Sequence, residues 1–235
     1  MDISFHPKSL FRILFGIILV LLTLNVASIL INVFYILPLL ESSQTFYGFN
    51  YVNFLVRLFD FNEEMNVPTF FSALLLVICA FLLFIIGKSE RFFQGKYLDW
   101  FGLSFVFLFL SIDEMTSIHE LLITTTKAQL NVSGIFFFAW VIPYGIALLV
   151  LSVIYYKFLK RLPRTTVRLF VLSAFVYITG ALLIEMPEGW VAENYGFYDP
   201  LFLILYTCEE FLEMLGLSIF IYALTSYKSF SLKIA

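Results

Sequence analysis

The 235-residue chain is 61% hydrophobic and only 13% charged, where soluble globular proteins are roughly 45–50% apolar and 25% charged. Its mean hydropathy is +0.96, which excludes an ordinary water-soluble fold, and apolar segments take up almost the whole length. Residues 1–235 therefore read as a single integral membrane domain. A net charge of −3 without a basic, aromatic-interleaved face excludes nucleic acid as a partner. The partners left are the lipid bilayer and a small cation or lipid-like substrate; no feature of the chain names a protein partner.

The first apolar segment, about Phe11 to Leu40, follows a short head containing Lys8 and Arg12. It is too long for a signal-peptide core and reads as a retained signal anchor. Asn25 and Asn32 lie seven residues apart on one face, a placement suited to hydrogen bonding between helices. After Pro38 and a polar stretch, Phe49 to Phe61 carries Asn50, Asn53, Arg57 and Asp60 at three- and four-residue steps. That spacing gives a helix with a narrow wet face, lying in the membrane interface or packed on the mouth of the bundle.

Segment two, about Val67 to Gly87, opens at Pro68, a residue suited to a first helical turn, and reads as scaffold. Segment three runs from Leu98 to about Thr125 as one helix and contains Ser111-Ile112-Asp113-Glu114-Met115-Thr116-Ser117-Ile118-His119-Glu120. Segment four, about Ile135 to Leu159, has Pro143 and Gly145 as expected points of kinking, with Trp140 and Tyr144 in its outer half. Segment five, about Val167 to Met186, closes on Glu185-Met186-Pro187-Glu188. Segment six, about Pro200 to Thr225, contains Cys208-Glu209-Glu210-Phe211-Leu212-Glu213-Met214. The two cysteines, Cys79 and Cys208, both fall in apolar runs and read as packing groups. The expected fold is all-α: a polytopic transmembrane bundle of about six spanning helices with a short interfacial helix.

Such a topology puts both termini on one side. Twelve of the fourteen lysines and arginines fall on that side, leaving only Arg57 and Lys127 opposite. Both termini are therefore expected to be cytoplasmic, and the 30 phenylalanines and short loops point to a bacterial inner membrane. Asn131-Val132-Ser133 fits a glycosylation sequon on the outer side, a triplet common by chance.

Ionisable groups within hydrocarbon are costly and mark function by default. Helical rise puts Asp113 about 22 Å from the cytoplasmic edge, Glu209 and Glu210 about 14–15 Å below the outer edge, and Glu213 about 20 Å below it. The acids thus form a band from mid-membrane to the outer surface. Asp113, Ser117, Glu120 and Thr124 are expected on one continuous stripe, and Glu185 with Glu188 on another. Headgroup-level placement accounts for Glu188, Glu193, Asp199 and, at the margin, Glu120. It accounts poorly for Asp113, Glu114, Glu209, Glu210 and Glu213. No lysine or arginine lies at that depth to neutralise them, so protons, water or a bound cation must do so. Carboxylate oxygens with one imidazole suit a divalent metal ion, and the candidate ligands are Asp113, Glu114, His119, Glu120, Glu185, Glu209, Glu210 and Glu213.

Familiar enzyme templates are missing. Two histidines, His6 and His119, are too few for a histidine-rich di-iron site, and no Glu-x-x-His pair, Gly-x-Ser-x-Gly elbow, His-Glu-x-x-His helix or phosphate loop occurs. Ser111-Ile112-Asp113-Glu114 is similar to Thr207-Cys208-Glu209-Glu210, which raises an inverted three-plus-three repeat of the kind found in secondary transporters. The two motifs together, Ser111-x-Asp113-Glu114 with His119-Glu120 and Glu209-Glu210-x-x-Glu213-Met214-x-Gly216, resemble those of bacterial multi-pass membrane proteins to which no activity attaches. Three readings stay open: a cation or proton binder or transporter with an outward-opening acidic site, a membrane-embedded metal-dependent enzyme acting on a lipid-like substrate, and a structural or sensory subunit.

Overall fold

Helix α1 (Pro7–Ile31) starts on a proline, whose missing N–H falls where a helix has no partner for one. The computed structural model describes residues 2–4, 6–41, 49–92, 97–228 and 231–233. In it, α1 continues through a π-helical stretch, Asn32–Ile36, into α2 (Leu37–Glu41). The wider turn lets the run pass Pro38, which cannot donate to the carbonyl four residues back. The amphipathic segment forms α3 (Phe49–Phe59), with Tyr51, Phe54 and Leu55 exposed and Val56 buried.

The remaining elements are α4 (Val67–Phe92), α5 (Leu98–Thr116), α6 (Ile118–Leu130), a 3-10 turn at Gly134–Phe136, α7 (Val141–Leu159), α8 (Arg164–Ile178), a π-helical stretch at Thr179–Ile184, α9 (Glu185–Tyr195) and α10 (Pro200–Tyr227). Two three-residue strands, β1 (Asp2–Ser4) and β2 (Ser231–Lys233), pair antiparallel and bring the two ends of the chain together. Lys96, one of the twelve lysines and arginines assigned to the side of the termini, lies outside the described residues.

Four runs are long and apolar enough to cross a membrane, Pro7–Leu39, Val67–Arg91, Val141–Leu159 and Arg164–Tyr195, and α5 with α6 makes a fifth if that bent pair is one span. Large apolar side chains such as Ile13, Val20, Phe81, Leu149 and Val153 cover the outside of these helices, as expected for an integral membrane protein. Helix α10 occupies the centre and packs against α1, α4, α8 and α9. Leu75, Leu83, Ile86, Met214, Ile221 and Leu224 fill the interior around it.

Without a hydrophobic drive between helices in lipid, close packing and interhelical hydrogen bonds hold such a bundle together. Ser104 and Ser111 of α5 donate to the carbonyls of Ala80 and Ala73 in α4 at 2.7 and 2.9 Å. Asn25 is fully buried: its amide donates to Thr207 Oγ1 at 3.0 Å and its oxygen accepts the Phe61 N–H at 2.8 Å. It thus ties α1, α10 and the 60–66 loop together, whereas Asn32 remains partly exposed at the start of a π-helical stretch. Asn25→Leu is expected to lower stability in detergent by about 1–3 kcal/mol, because the Phe61 N–H loses its acceptor; Asn32→Leu should be near neutral by the same thermal-unfolding measurement.

The structure corrects four expectations. Segment three is not one helix, because the chain bends by 82° between α5 and α6. Pro143 is not an interior helix proline, since it falls in the first turn of α7, where no intrahelical donor is missed. Segment five does not stop near Met186 but runs to Tyr195, because the π-helical stretch before Pro187 absorbs its missing hydrogen bond. Cys79 is buried as expected, but Cys208 is exposed on the surface of α10.

Candidate functional site

The last two turns of α5 carry Ser111, Asp113 and Glu114, with Ser111 and Asp113 buried. At Ser117 the backbone enters the left-handed region (φ +50°, ψ +41°) and the helix breaks. Asp113 bridges this break. Its Oδ1 accepts the His119 N–H at 2.8 Å, filling one of the donors left open at the start of α6, and its Oδ2 lies 3.5 Å from His119 Nδ1. The expected continuous stripe of Asp113, Ser117, Glu120 and Thr124 is therefore broken, and a cap takes its place. The His119 ring rests on Trp140, with centroids 4.9 Å apart.

Glu185, Glu188 and the acids of α10 are brought together by two helices that approach unusually closely. A Cβ on Gly180 would lie 2.6 Å from the Glu209 carbonyl oxygen, and one on Gly216 would lie 2.7 Å from the Tyr177 amide nitrogen. After the π-helical stretch, Glu185 and Glu188 both point inward, and Trp140 Nε1 donates to Glu185 Oε1 at 2.9 Å. The Glu209 carboxyl comes within hydrogen-bonding reach of Glu185 and Glu188, and the Tyr177 hydroxyl donates to Glu213.

All eight residues proposed from sequence line one cavity of about 910 Å³: Asp113, Glu114, His119, Glu120, Glu185, Glu209, Glu210 and Glu213. The structure divides them, however. Glu185 and Glu209 join Glu188 in one group whose potential ligand atoms lie within 4.8 Å of one another, and His119 and Glu120 join Glu64 in another. Asp113, Glu114, Glu210 and Glu213 line the wall without completing a cage. No lysine or arginine lines the cavity among the described residues.

Two of these residues escape a reading of the sequence. Glu188 resembles a headgroup-level residue at a helix end, but it is only 4% exposed, because its helix continues past it. Glu64 lies in the loop between α3 and α4, outside any apolar run. That loop is positioned by Asn25, by Asn66, which accepts the Thr69 N–H at 3.1 Å and caps α4, and by Asp60, which takes the Tyr206 hydroxyl. Glu64 is exposed at the mouth, yet enough protein surrounds it for desolvation to push its carboxyl above the ordinary value; His119 partly opposes the rise and Glu120 adds to it. The only sequence sign of Glu64 is its place within an acidic, asparagine-rich loop.

The donor set fits a hard divalent cation. It is almost all carboxylate oxygen, with one imidazole nitrogen at the mouth. Two unit charges 4 Å apart repel by about 4 kcal/mol at an effective dielectric of about 20, so the Glu185–Glu188–Glu209 group cannot stay fully ionised without a shared proton or a bound cation. Glu188 Oε2 and Glu210 Oε2 are buried and have no hydrogen-bond partner. Such oxygens are uncommon in folded proteins and are explained by a bound ion, water or ligand.

Fold and site together define a class: polytopic helical membrane proteins with a carboxylate-lined cavity between their helices. Within it, the chain belongs to the family described as Domain of unknown function (DUF8692), whose model matches residues 12–227. No curated protein and no solved structure matches the chain.

Proposed function

We propose that this chain is a six-span membrane protein that binds a divalent metal cation in an outward-opening carboxylate chamber. The sixth span is α10; its 28 residues extend about 42 Å, enough to cross a hydrocarbon core of about 30 Å. The paired terminal strands support both termini lying on one side, and the basic loops support that side being the cytoplasm of a bacterial inner membrane. An inverted repeat would place Asp113–Glu114 and Glu209–Glu210 around one chamber, and both pairs line it.

The observation that carries the metal reading is Glu188: a deeply buried carboxylate with one unpartnered oxygen, grouped with Glu185 and Glu209 in a cavity that no lysine or arginine lines among the described residues. These three hold the ion. Glu64, His119 and Glu120 attract it at the mouth, and Asp113, Glu114, Glu210 and Glu213 carry protons or pass the ion along the wall. In a transporter, the ion must also reach the other end, where Trp100 packs against Phe158 (4.9 Å between centroids) and Phe170 against Phe220 (4.8 Å). Transport therefore requires a second conformation, whereas metal-dependent chemistry on a lipid-like substrate does not. The apolar half of the cavity favours that second reading.

Elemental analysis and calorimetric titration with Mn²⁺ and Zn²⁺ in detergent test the metal reading. Wild type is expected to bind stoichiometrically. Glu188→Gln and Glu209→Gln should lose about tenfold or more in affinity, since even the loss of an outer-shell partner of a ligand costs about that much. Glu193→Gln should bind as wild type, because Glu193 instead accepts the Gly134 N–H. A wild-type protein that takes up no divalent ion would overturn the proposal.

A further inference from the structure

Below the carboxylates the cavity becomes apolar and runs beneath α7. Val106, Leu148, Leu151, Phe170, Ile178 and Leu217 line this part. Helix α7 is fastened at its two ends. At the acidic end Trp140 holds Glu185 and His119, and at the other end Phe158 packs on Trp100 while the Tyr155 hydroxyl sits over Gly102. Between these points α7 stands away from the bundle, and only 11% of its apolar stretch is buried. Phe105 and Phe109 on α5 and Ala174 on α8 line the cavity and are exposed, so its apolar wall is accessible along α5 and α8 as well as α7.

We infer that this chamber binds a single-chain amphiphile, with its hydrocarbon chain along α7 and a non-anionic, hydrogen-bond-donating head, a hydroxyl or an amine, among the carboxylates. From Tyr144 to Tyr155 the apolar part extends about 16 Å along α7, the reach of a fatty chain. A cavity of about 910 Å³ is within the usual range for enclosing a ligand of that size. The head is set by charge and donor chemistry. Ionised carboxylates only accept hydrogen bonds, Glu210 Oε2 has no donor, and the absence of lysine or arginine from the described lining disfavours a phosphate or carboxylate head. This deepens the lipid-substrate reading above and rests on the acidic end being a ligand site. It does not require the metal to be bound.

Photoreactive probes with a diazirine near the chain end and an amine, hydroxyl or carboxylate head test it on the full-length protein in nanodiscs. The amine or hydroxyl probe is expected to label the α5, α7 and α8 lining, and an excess of the unlabelled amphiphile should compete. Ala147→Trp on α7 and Ala174→Trp on α8 each fill the apolar part without touching a carboxylate. Labelling should fall by about tenfold or more in either, the loss expected when two or more methylenes are displaced. Metal content, measured on the same samples, should stay at the wild-type level. Equal labelling by the carboxylate probe, labelling confined to the outer surface of the helices, or full labelling in both tryptophan variants would overturn the inference. Labelling inside the chamber with no metal in any sample would leave the inference standing and overturn the metal reading. Because the mapping is done on wild type, a variant that fails to fold does not remove the test.

Discussion

Asp113→Ala is expected to cost about 2–3 kcal/mol of stability in detergent, and Asp113→Asn less than about 1 kcal/mol. The difference follows from what the carboxylate does. Asp113 is 5% exposed and its Oδ1 satisfies the His119 N–H across the 82° break between α5 and α6. Asparagine keeps an oxygen in that place; alanine leaves the first turn of α6 without it and lets the junction at Ser117 relax. The consequence reaches the mouth of the chamber, because His119 rests on Trp140 and belongs to the same three-residue group as Glu64 and Glu120. Trp140 fluorescence should therefore shift in Asp113→Ala and stay close to wild type in Asp113→Asn. The Glu185–Glu188–Glu209 group is on other helices but is tied to Trp140 through Glu185, so divalent binding there should hold in Asp113→Asn and weaken in Asp113→Ala as Trp140 moves. Equal destabilisation by alanine and asparagine would show that the charge of Asp113, not its capping oxygen, holds the junction.

The break at Ser117 also shows how far the sequence could be read. The apolar runs and the three- and four-residue spacing of polar groups located the helices, and the eight acidic and imidazole residues chosen because hydrocarbon penalises them all face one cavity. What lay beyond reach depended on tertiary contacts. A serine in the left-handed region leaves no local signature, since helix periodicity continues through Ser111 to Thr124, and only the docking of Asp113 onto the next helix marks the turn. Pro187 and Pro38 signal helix ends in a sequence, but π-helical stretches upstream carry the chain past both. For that reason Glu188 is buried and grouped with Glu185 and Glu209. Glu64 was hidden for a different reason: a loop residue reaches the chamber only because Asn25, two segments away, holds the loop.

Gly216→Ala and Gly180→Ala are expected to destabilise the protein, while the same change at Gly16 and Gly145 should leave it unchanged or slightly more stable. A methyl group at Gly216 would lie 2.7 Å from the Tyr177 nitrogen and 2.9 Å from its Cα, and one at Gly180 would lie 2.6 Å from the Glu209 carbonyl oxygen. These neighbours are backbone atoms, so they cannot rotate away, and α8 and α10 must separate. Overpacking of this kind costs about 1–3 kcal/mol. Nothing lies within 4 Å of a Cβ at Gly16 or Gly145, where alanine gains about 0.5–1 kcal/mol of helix propensity. Thermal unfolding of the four variants in one detergent gives the comparison. The functional effect should follow the same division, because separating α8 from α10 draws Tyr177 off Glu213 and moves Glu209 away from Glu185 and Glu188. Divalent-ion affinity should therefore fall in Gly180→Ala and Gly216→Ala and hold in the other two. If affinity held in all four, the three-carboxylate group would not depend on the close approach of α8 and α10, and another arrangement of the acids would have to hold the ion.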